Sequence, residues 1–198
     1  PPILLATTNP HKLEELRDIL APAQLLSLSD LPNAPSIPEP TEDGDTFEAN
    51  ARLKASYYAR ATNLHCLADD SGLEVDALHG QPGVHSAYYH HGLALGPSIP
   101  RAQRDAANNA KLLHQLRNTP THLRAARFRC VIALAAPSGD ILATAQGTFE
   151  GSIATAPLGD HGFGYDPLLL LPDGRTSAQL PPHEKNQHSH LPNTPRAL

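Results

Sequence analysis

The sequence predicts a mixed α/β domain, and three observations predict it. Short apolar runs alternate with helical periodicity in the first half, a hairpin signal occupies the second half, and 40% of the 198 residues are hydrophobic. Ile3-Leu4-Leu5-Ala6 reads as a strand followed by the polar turn Thr7-Thr8-Asn9-Pro10. Leu13, Leu16, Ile19 and Leu20 then recur at helical spacing, with Glu14 and Glu15 in the first turn, where the helix dipole favours acids. Residues 25–28 form a second strand, and residues 46–61 a helix with Phe47, Ala51, Ala55 and Tyr58 on one face. The apolar run 64–68 is a buried strand, closed by Asp69-Asp70-Ser71-Gly72 as a glycine turn. Residues 101–117 are helical through Leu112, Leu113 and Leu116. Residues 128–136 and 141–149 flank the turn Pro137-Ser138-Gly139-Asp140, and 168–171 form a last short strand.

Composition narrows the function. A net charge of −5 argues against a general nucleic-acid binder. No apolar span is long enough to suggest a membrane segment, and none has the design of a signal peptide. The two cysteines, Cys66 and Cys130, each sit inside an apolar run, so a disulfide framework is not expected and a reducing cytoplasm is. Prolines cluster near 32–40, 97–100 and 192–195 and read as rigid loops within a single domain spanning 1–198. The densest groups of the twelve histidines, Tyr88-Tyr89-His90-His91 and His188-Ser189-His190, lack zinc-ligand spacing, and most of the histidines are read as surface residues.

Chemistry concentrates in four places. Adjacent strand residues face opposite ways, so of Asp69 and Asp70 one points into the interior and the other into a cleft. An isolated Asp-Ser-Gly is ordinarily a cap or turn; here other polar segments accompany it. The strand-to-helix turn Thr7-Thr8-Asn9-Pro10-His11-Lys12 offers free backbone N–H groups to an anion, and Lys12 opposes the helix dipole unless it reaches a phosphate. In Glu39-Pro40-Thr41-Glu42-Asp43-Gly44-Asp45, Asp45 or Thr46 caps the following helix, capping being the role read for Asp45, and Glu42 is better placed as a free oxygen ligand. Magnesium takes one or two carboxylates and completes its shell with water and phosphate, a requirement that Glu42 and Asp70 meet. In His161-Gly162-Phe163-Gly164-Tyr165-Asp166-Pro167, the glycines permit close approach of a flat ligand and Phe163 offers a stacking face. Lys185 adds a cation near the end of the chain.

Together these segments resemble the inosine/xanthosine triphosphate pyrophosphatase family, also described as non-canonical purine NTP or dITP/XTP pyrophosphatases. Thr7 to Lys12 is similar to its Thr-x-Asn-x-x-Lys phosphate turn, Glu42-Asp43-Gly44-Asp45-Thr46-Phe47 to its acidic loop, and Asn50 to an asparagine of the next helix. Ala68-Asp69-Asp70-Ser71-Gly72-Leu73 with Val75-Asp76 resembles its central motif. Pro82-Gly83-Val84, Ser86-Ala87, Ala126-Arg127-Phe128, residues 162–167 and Glu184-Lys185-Asn186 follow in family order.

The resemblance implies an elongated central sheet with flanking helices, two lobes around a nucleotide cleft, and a homodimer. It also implies Mg²⁺-dependent hydrolysis of ITP, dITP and XTP to the monophosphate plus pyrophosphate. Carried over by position, Asp70 is the proton acceptor and, with Glu42, the metal ligand. Lys12 neutralises phosphate charge beside Thr7, Thr8 and Asn9. Ser71 and Lys185 hold the nucleotide, Phe163, Gly164, Tyr165 and Asp166 enclose the base, and Ser189 and His190 belong to a base-binding triplet.

Departures bear on base selectivity. Leu191 stands where that triplet has arginine, and Ala49 where many relatives have a second glutamate, for which the adjacent Glu48 compensates in part. A non-catalytic or relaxed-specificity nucleotide-binding protein is the alternative. An aspartyl phosphatase fits poorly, because Ser71 and Gly72 follow Asp70 where that chemistry wants a second acid. Leu191→Arg is expected to sharpen the preference for ITP over GTP in a hydrolysis assay; an unchanged ratio would mean that another residue already reads the base.

Overall fold

The computed structural model describes residues 2–7, 13, 16–17, 23–32, 37–95, 98–181 and 184–185. Its strands are β1 (Ile3–Leu5), β2 (Leu25–Ser27), β3 (His65–Val75), β4 (Ala125–Ala135), β5 (Ile141–Ile153) and β6 (Leu169–Leu170). Among the described residues the two long helices are α1 (Phe47–Thr62), before β3, and α2 (Arg101–Gln115), before β4; single turns of helix fill several connections. The strands form one sheet in the order β2-β1-β3-β4-β5-β6. It is mixed, as expected: β1 runs parallel to β2 and β3, with Leu4 opposite Leu26 and Cys66, while β6 is antiparallel to β5.

The chain divides into two compact units. One contains Pro1–Asp70 and Cys130–Gly147. Its core joins Leu5, Leu16, Leu67, Cys130 and Ile132, with Ile3, Leu13, Leu25 and Leu134 packed against them. Here α1 buries Phe47, Ala51, Ala55, Tyr58 and Ala59, a stripe at helical spacing whose alanines let the helix approach closely. Ser56 and Arg60 on α1 donate to the carbonyls of Gly139 and Ser138, which ties the helix to the β4–β5 turn. The other unit contains Ser71–Arg129 and Thr148–Ser189. Its core includes Leu73, Val75, Leu112, Leu116, Ile153, Tyr165 and Leu168.

Three expectations change. Gly72 does not end a strand: β3 continues to Val75, because Leu73 and Val75 are wholly buried and carry the apolar pattern on. Asp69 and Asp70 therefore lie within a strand rather than at its end. Of the two caps expected for α1, it is Thr46 whose hydroxyl accepts from the Ala49 N–H, at 3.1 Å, so the capping role read for Asp45 falls to its neighbour. β5 extends to Ile153, four residues past the expected limit, and Ile153 is 2% exposed.

Burial holds the Cys66 thiol up at about 12, against an ordinary value of 9.0, and the Cys130 thiol donates to the buried Asp69 carboxylate at 4.0 Å. Since only thiolate is nucleophilic, neither cysteine is expected to react with dithionitrobenzoate in the native protein at about pH 8, and both should react after denaturation. The Cys66 pKa is raised by folding, so its contribution to stability is complete below pH 9.0 and is lost as pH rises toward about 12. Cys66→Ala should flatten that alkaline decline in melting temperature, and an unaltered slope would contradict it.

Candidate active site

Strand alternation sorts the paired acids of β3 as the sequence implies. Asp69 is 2% exposed and faces the interior, whereas the Asp70 side chain retains 13% exposure. Two residues one turn apart on α1 meet Asp70. The Asn50 amide donates to Asp70 Oδ2 at 3.0 Å, and Lys54 Nζ lies 3.9 Å from Oδ1. The same ammonium is 2.8 Å from Glu42 Oε2, so one cation stands between the two acids. Asn50 is itself buried, and its Oδ1 accepts from the Gly44 N–H at 2.8 Å, linking the acidic loop to the helix. A Cβ on Gly44 would meet that Oδ1 at 2.6 Å, so the loop comes this close only with glycine there.

The aromatic loop of the other unit is built around a second buried carboxylate. Asp166, 2% exposed, accepts from the Phe163 N–H at 2.8 Å, the Ser177 hydroxyl at 2.9 Å and Lys185 Nζ at 2.8 Å. Three donors, one of them an ammonium, offset the cost of burying this charge. Gly162 has φ +77, and a Cβ there would meet Asp166 Oδ2 at 2.1 Å, so the turn requires glycine on both counts. Phe163 is half-buried, with the Lys185 ammonium 5.0 Å and the Arg101 guanidinium 4.7 Å from its ring centroid. Gly164 is gripped by α2, donating its N–H to Asp105 at 3.0 Å and accepting from Asn109 at 3.0 Å.

A model of the Ham1 family matches residues 3–198. The chain is 51% identical to a dITP/XTP pyrophosphatase of Nitratidesulfovibrio vulgaris, over 95% of this chain and 89% of that one. The chain belongs to the Ham1 family. A dITP/XTP pyrophosphatase of Geobacter sulfurreducens is 49% identical over the same shares of the two chains. The solved structure of the Staphylococcus aureus Ham1 protein superposes with a TM-score of 0.83 at 37% identity, covering 100% of this chain and 95% of that one. A crystal structure described as nucleoside-triphosphatase / dITP/XTP pyrophosphatase, from Mycobacterium abscessus, gives 0.75 at 42% identity, over 98% and 96%.

Within this Ham1 fold, Glu42 and Asp70 both stand beside the Lys54 ammonium. Thr7, just after β1, and Ser71, next to Asp70 on β3, are both half-buried. Thr8, Asn9, Lys12, Ser189 and His190 lie outside the described residues. The role expected of Tyr165 changes. Its ring is 4% exposed in the core, its hydroxyl donates to the Ser86 carbonyl at 2.9 Å, and burial pushes its pKa up. Only its backbone remains for a ligand. Glu48 does not stand in for the glutamate replaced by Ala49: it is exposed and pairs with Arg52 at 3.3 Å.

Glu42 and Asp70 also pass a test as metal ligands. Two carboxylates converge on one ammonium and leave an excess negative charge, a donor set that suits a hard cation. Among the described residues no group of three or more His, Cys, Asp or Glu could hold a metal ion, so an ion at this pair would draw its remaining ligands from water and phosphate.

Sequence reading overlooked Lys54, Arg101, Asp105, Asn109 and Ser177, and named Asn50 only as a family match. One signal was available: Asn50 and Lys54 are four apart on a helix that follows an acidic loop, so they share a face. Asn50→Ala strips Asp70 and the Gly44 N–H of a partner each. It is expected to cost about 1–3 kcal/mol in urea unfolding; a loss under ~0.5 kcal/mol would show that water replaces both bonds.

Proposed function

We propose that this chain hydrolyses the non-canonical purine triphosphates ITP, dITP and XTP to the monophosphate and pyrophosphate, with Mg²⁺ held by Glu42 and Asp70. The observation that carries the reading is the Asp70 carboxylate, fixed through one oxygen by Asn50 and flanked at the other by the Lys54 ammonium. The naming of relatives at 51% and 49% identity as dITP/XTP pyrophosphatases supports it.

In this reading Asp70 orients a water and takes its proton as the water attacks the α-phosphorus. The bond to the bridging oxygen breaks, and pyrophosphate leaves. Lys12 and Lys54 neutralise phosphate charge as it develops on the leaving group. The bound Mg²⁺ supplies further charge neutralisation at the phosphates. Thr7, Thr8 and Asn9 cradle the phosphates and Ser71 holds the nucleotide, with Ser189 and His190 completing the base contacts. Phe163 stacks on the purine, Gly164 leaves room for it, and Asp166 fixes the loop while orienting Lys185.

Lys185 is a donor suited to a 6-keto oxygen. Adenine offers an amino donor at that position and would leave a donor unpaired, a penalty of about 1–3 kcal/mol. Among the described residues no helix is long and apolar enough to cross a membrane. A cytoplasmic homodimer that engages neither nucleic acid nor membrane is part of the proposal.

The test is hydrolysis of ITP, XTP, GTP and ATP with Mg²⁺, scoring pyrophosphate and orthophosphate separately. Pyrophosphate from ITP and XTP far ahead of ATP is expected. Asp70→Asn should lower kcat by about 10²–10⁴-fold while the melting temperature holds. Orthophosphate as the product, or near-normal turnover by that variant, would overturn the mechanism.

A further inference from the structure

Three side chains of α2 reach the aromatic loop from one helix face. Arg101, Asp105 and Asn109 follow one another at intervals of four, which stacks them along a single stripe. Each touches the loop differently. The Arg101 guanidinium lies 4.7 Å from the Phe163 ring centroid. Asp105 Oδ2 accepts from the Gly164 N–H at 3.0 Å and is 3.7 Å from Arg101 Nε. Asn109 Nδ2 donates to the Gly164 carbonyl at 3.0 Å. Both backbone polar groups of one glycine residue are thus held, in the left-handed conformation at φ +61.

Apart from the exposed i,i+4 ion pair of Arg101 with Asp105, helix stability does not account for these placements. Arg101 occupies the first position of α2, where a cation opposes the dipole, no acid stands in the first turn, and the Pro100 cap makes no side-chain hydrogen bond. The Asn109 Oδ1 is buried with no hydrogen-bond partner among the described residues, so this amide spends its donor on the loop and leaves its acceptor unsatisfied. Arg101 is 40% exposed, and nothing in the core needs it. What the three share is the loop that presents Phe163.

We propose that Arg101, Asp105 and Asn109 are positioning residues for purine recognition: they fix the Phe163 ring and the Gly164 peptide in the arrangement in which the ring stacks on the base. This rests on the nucleotide-hydrolysis reading above and deepens it. Asp105 and Asn109 set the backbone beside the ring, while Arg101 limits the ring's rotation through a cation–π contact. Preorganising the stacking surface lowers the ordering cost of binding the base. The strip acts on KM for a base-bearing substrate and not on the phosphate chemistry.

The experiment compares the full chain with Arg101→Ala, Asp105→Ala, Asp105→Asn and Asn109→Ala, measuring pyrophosphate release from ITP. Inhibition by inorganic tripolyphosphate, which has no base, is measured alongside. Arg101→Ala is expected to raise KM for ITP about two- to fivefold with kcat nearly constant, and Asp105→Ala about tenfold. Asp105→Asn keeps an acceptor for the Gly164 N–H and should recover most of that loss. Tripolyphosphate inhibition should not move in any of them.

Unchanged KM in all three alanine variants, or an equal shift in tripolyphosphate inhibition, overturns the proposal. Arg101 is exposed at a helix start, so its variant folds and the comparison stands even if an Asp105 variant does not. Should the unaltered chain release no pyrophosphate from ITP, the hydrolytic reading fails by itself. Calorimetric binding of inosine monophosphate then decides the strip: weaker binding by Arg101→Ala sustains it, while equal binding, or none by the unaltered chain, overturns it.

Discussion

The attachment of α1 to β3 through Asn50, Lys54 and Asp70 organises everything around the acidic loop. A carboxylate near the interior is costly unless it is paired and hydrogen-bonded, and Asp70 is both. The same two helix residues reach Gly44 and Glu42, so one helix face sets the strand acid and the loop acid together. The stripe of alanines beneath α1 lets the helix come near enough for these short contacts, and Thr46 fixes where it begins. Moving the helix by one residue would swing Asn50 and Lys54 by about 100°, away from both acids.

Asp166 plays the corresponding part in the other unit. It is a buried charge whose donors come from Phe163, Ser177 and Lys185, so the loop, a later turn and the terminal cation are all defined by one side chain. Glycine 162 makes this possible by leaving the space its own side chain would fill. Tyr165, next to Asp166, is held the opposite way, with its ring in the core and its hydroxyl on a carbonyl. One short segment thus supplies a half-buried ring, a core anchor and a buried acid at consecutive or near-consecutive positions.

Both sites follow one logic. A carboxylate is immobilised by a helix or loop, and an ammonium next to it is held partly desolvated, as Lys54 and Lys185 are, each with 13% of its side chain exposed. Charges taken out of bulk water act more strongly on a ligand than the same charges in solvent. Asp166 and Lys185 balance one to one, whereas Lys54 faces two acids and leaves an excess negative charge beside Glu42 and Asp70.

By itself the sequence determined the mixed α/β class, the placing of α1 and α2, and the separation of Asp69 from Asp70. These rest on period-2 and helical periodicities and on motifs whose members are close in the chain. It misjudged the end of β3, because glycine within a strand resembles glycine in a turn until Leu73 and Val75 are seen to be buried. It took Tyr165 for a ligand contact, since an aromatic that follows a glycine in a loop carries no mark of which way its ring turns. Only tertiary structure decided that Lys54 bridges Glu42 and Asp70, and that a helix some sixty residues earlier grips Phe163 and Gly164. Those contacts join residues far apart in sequence, and local spacing holds no information about which distant face will meet which loop.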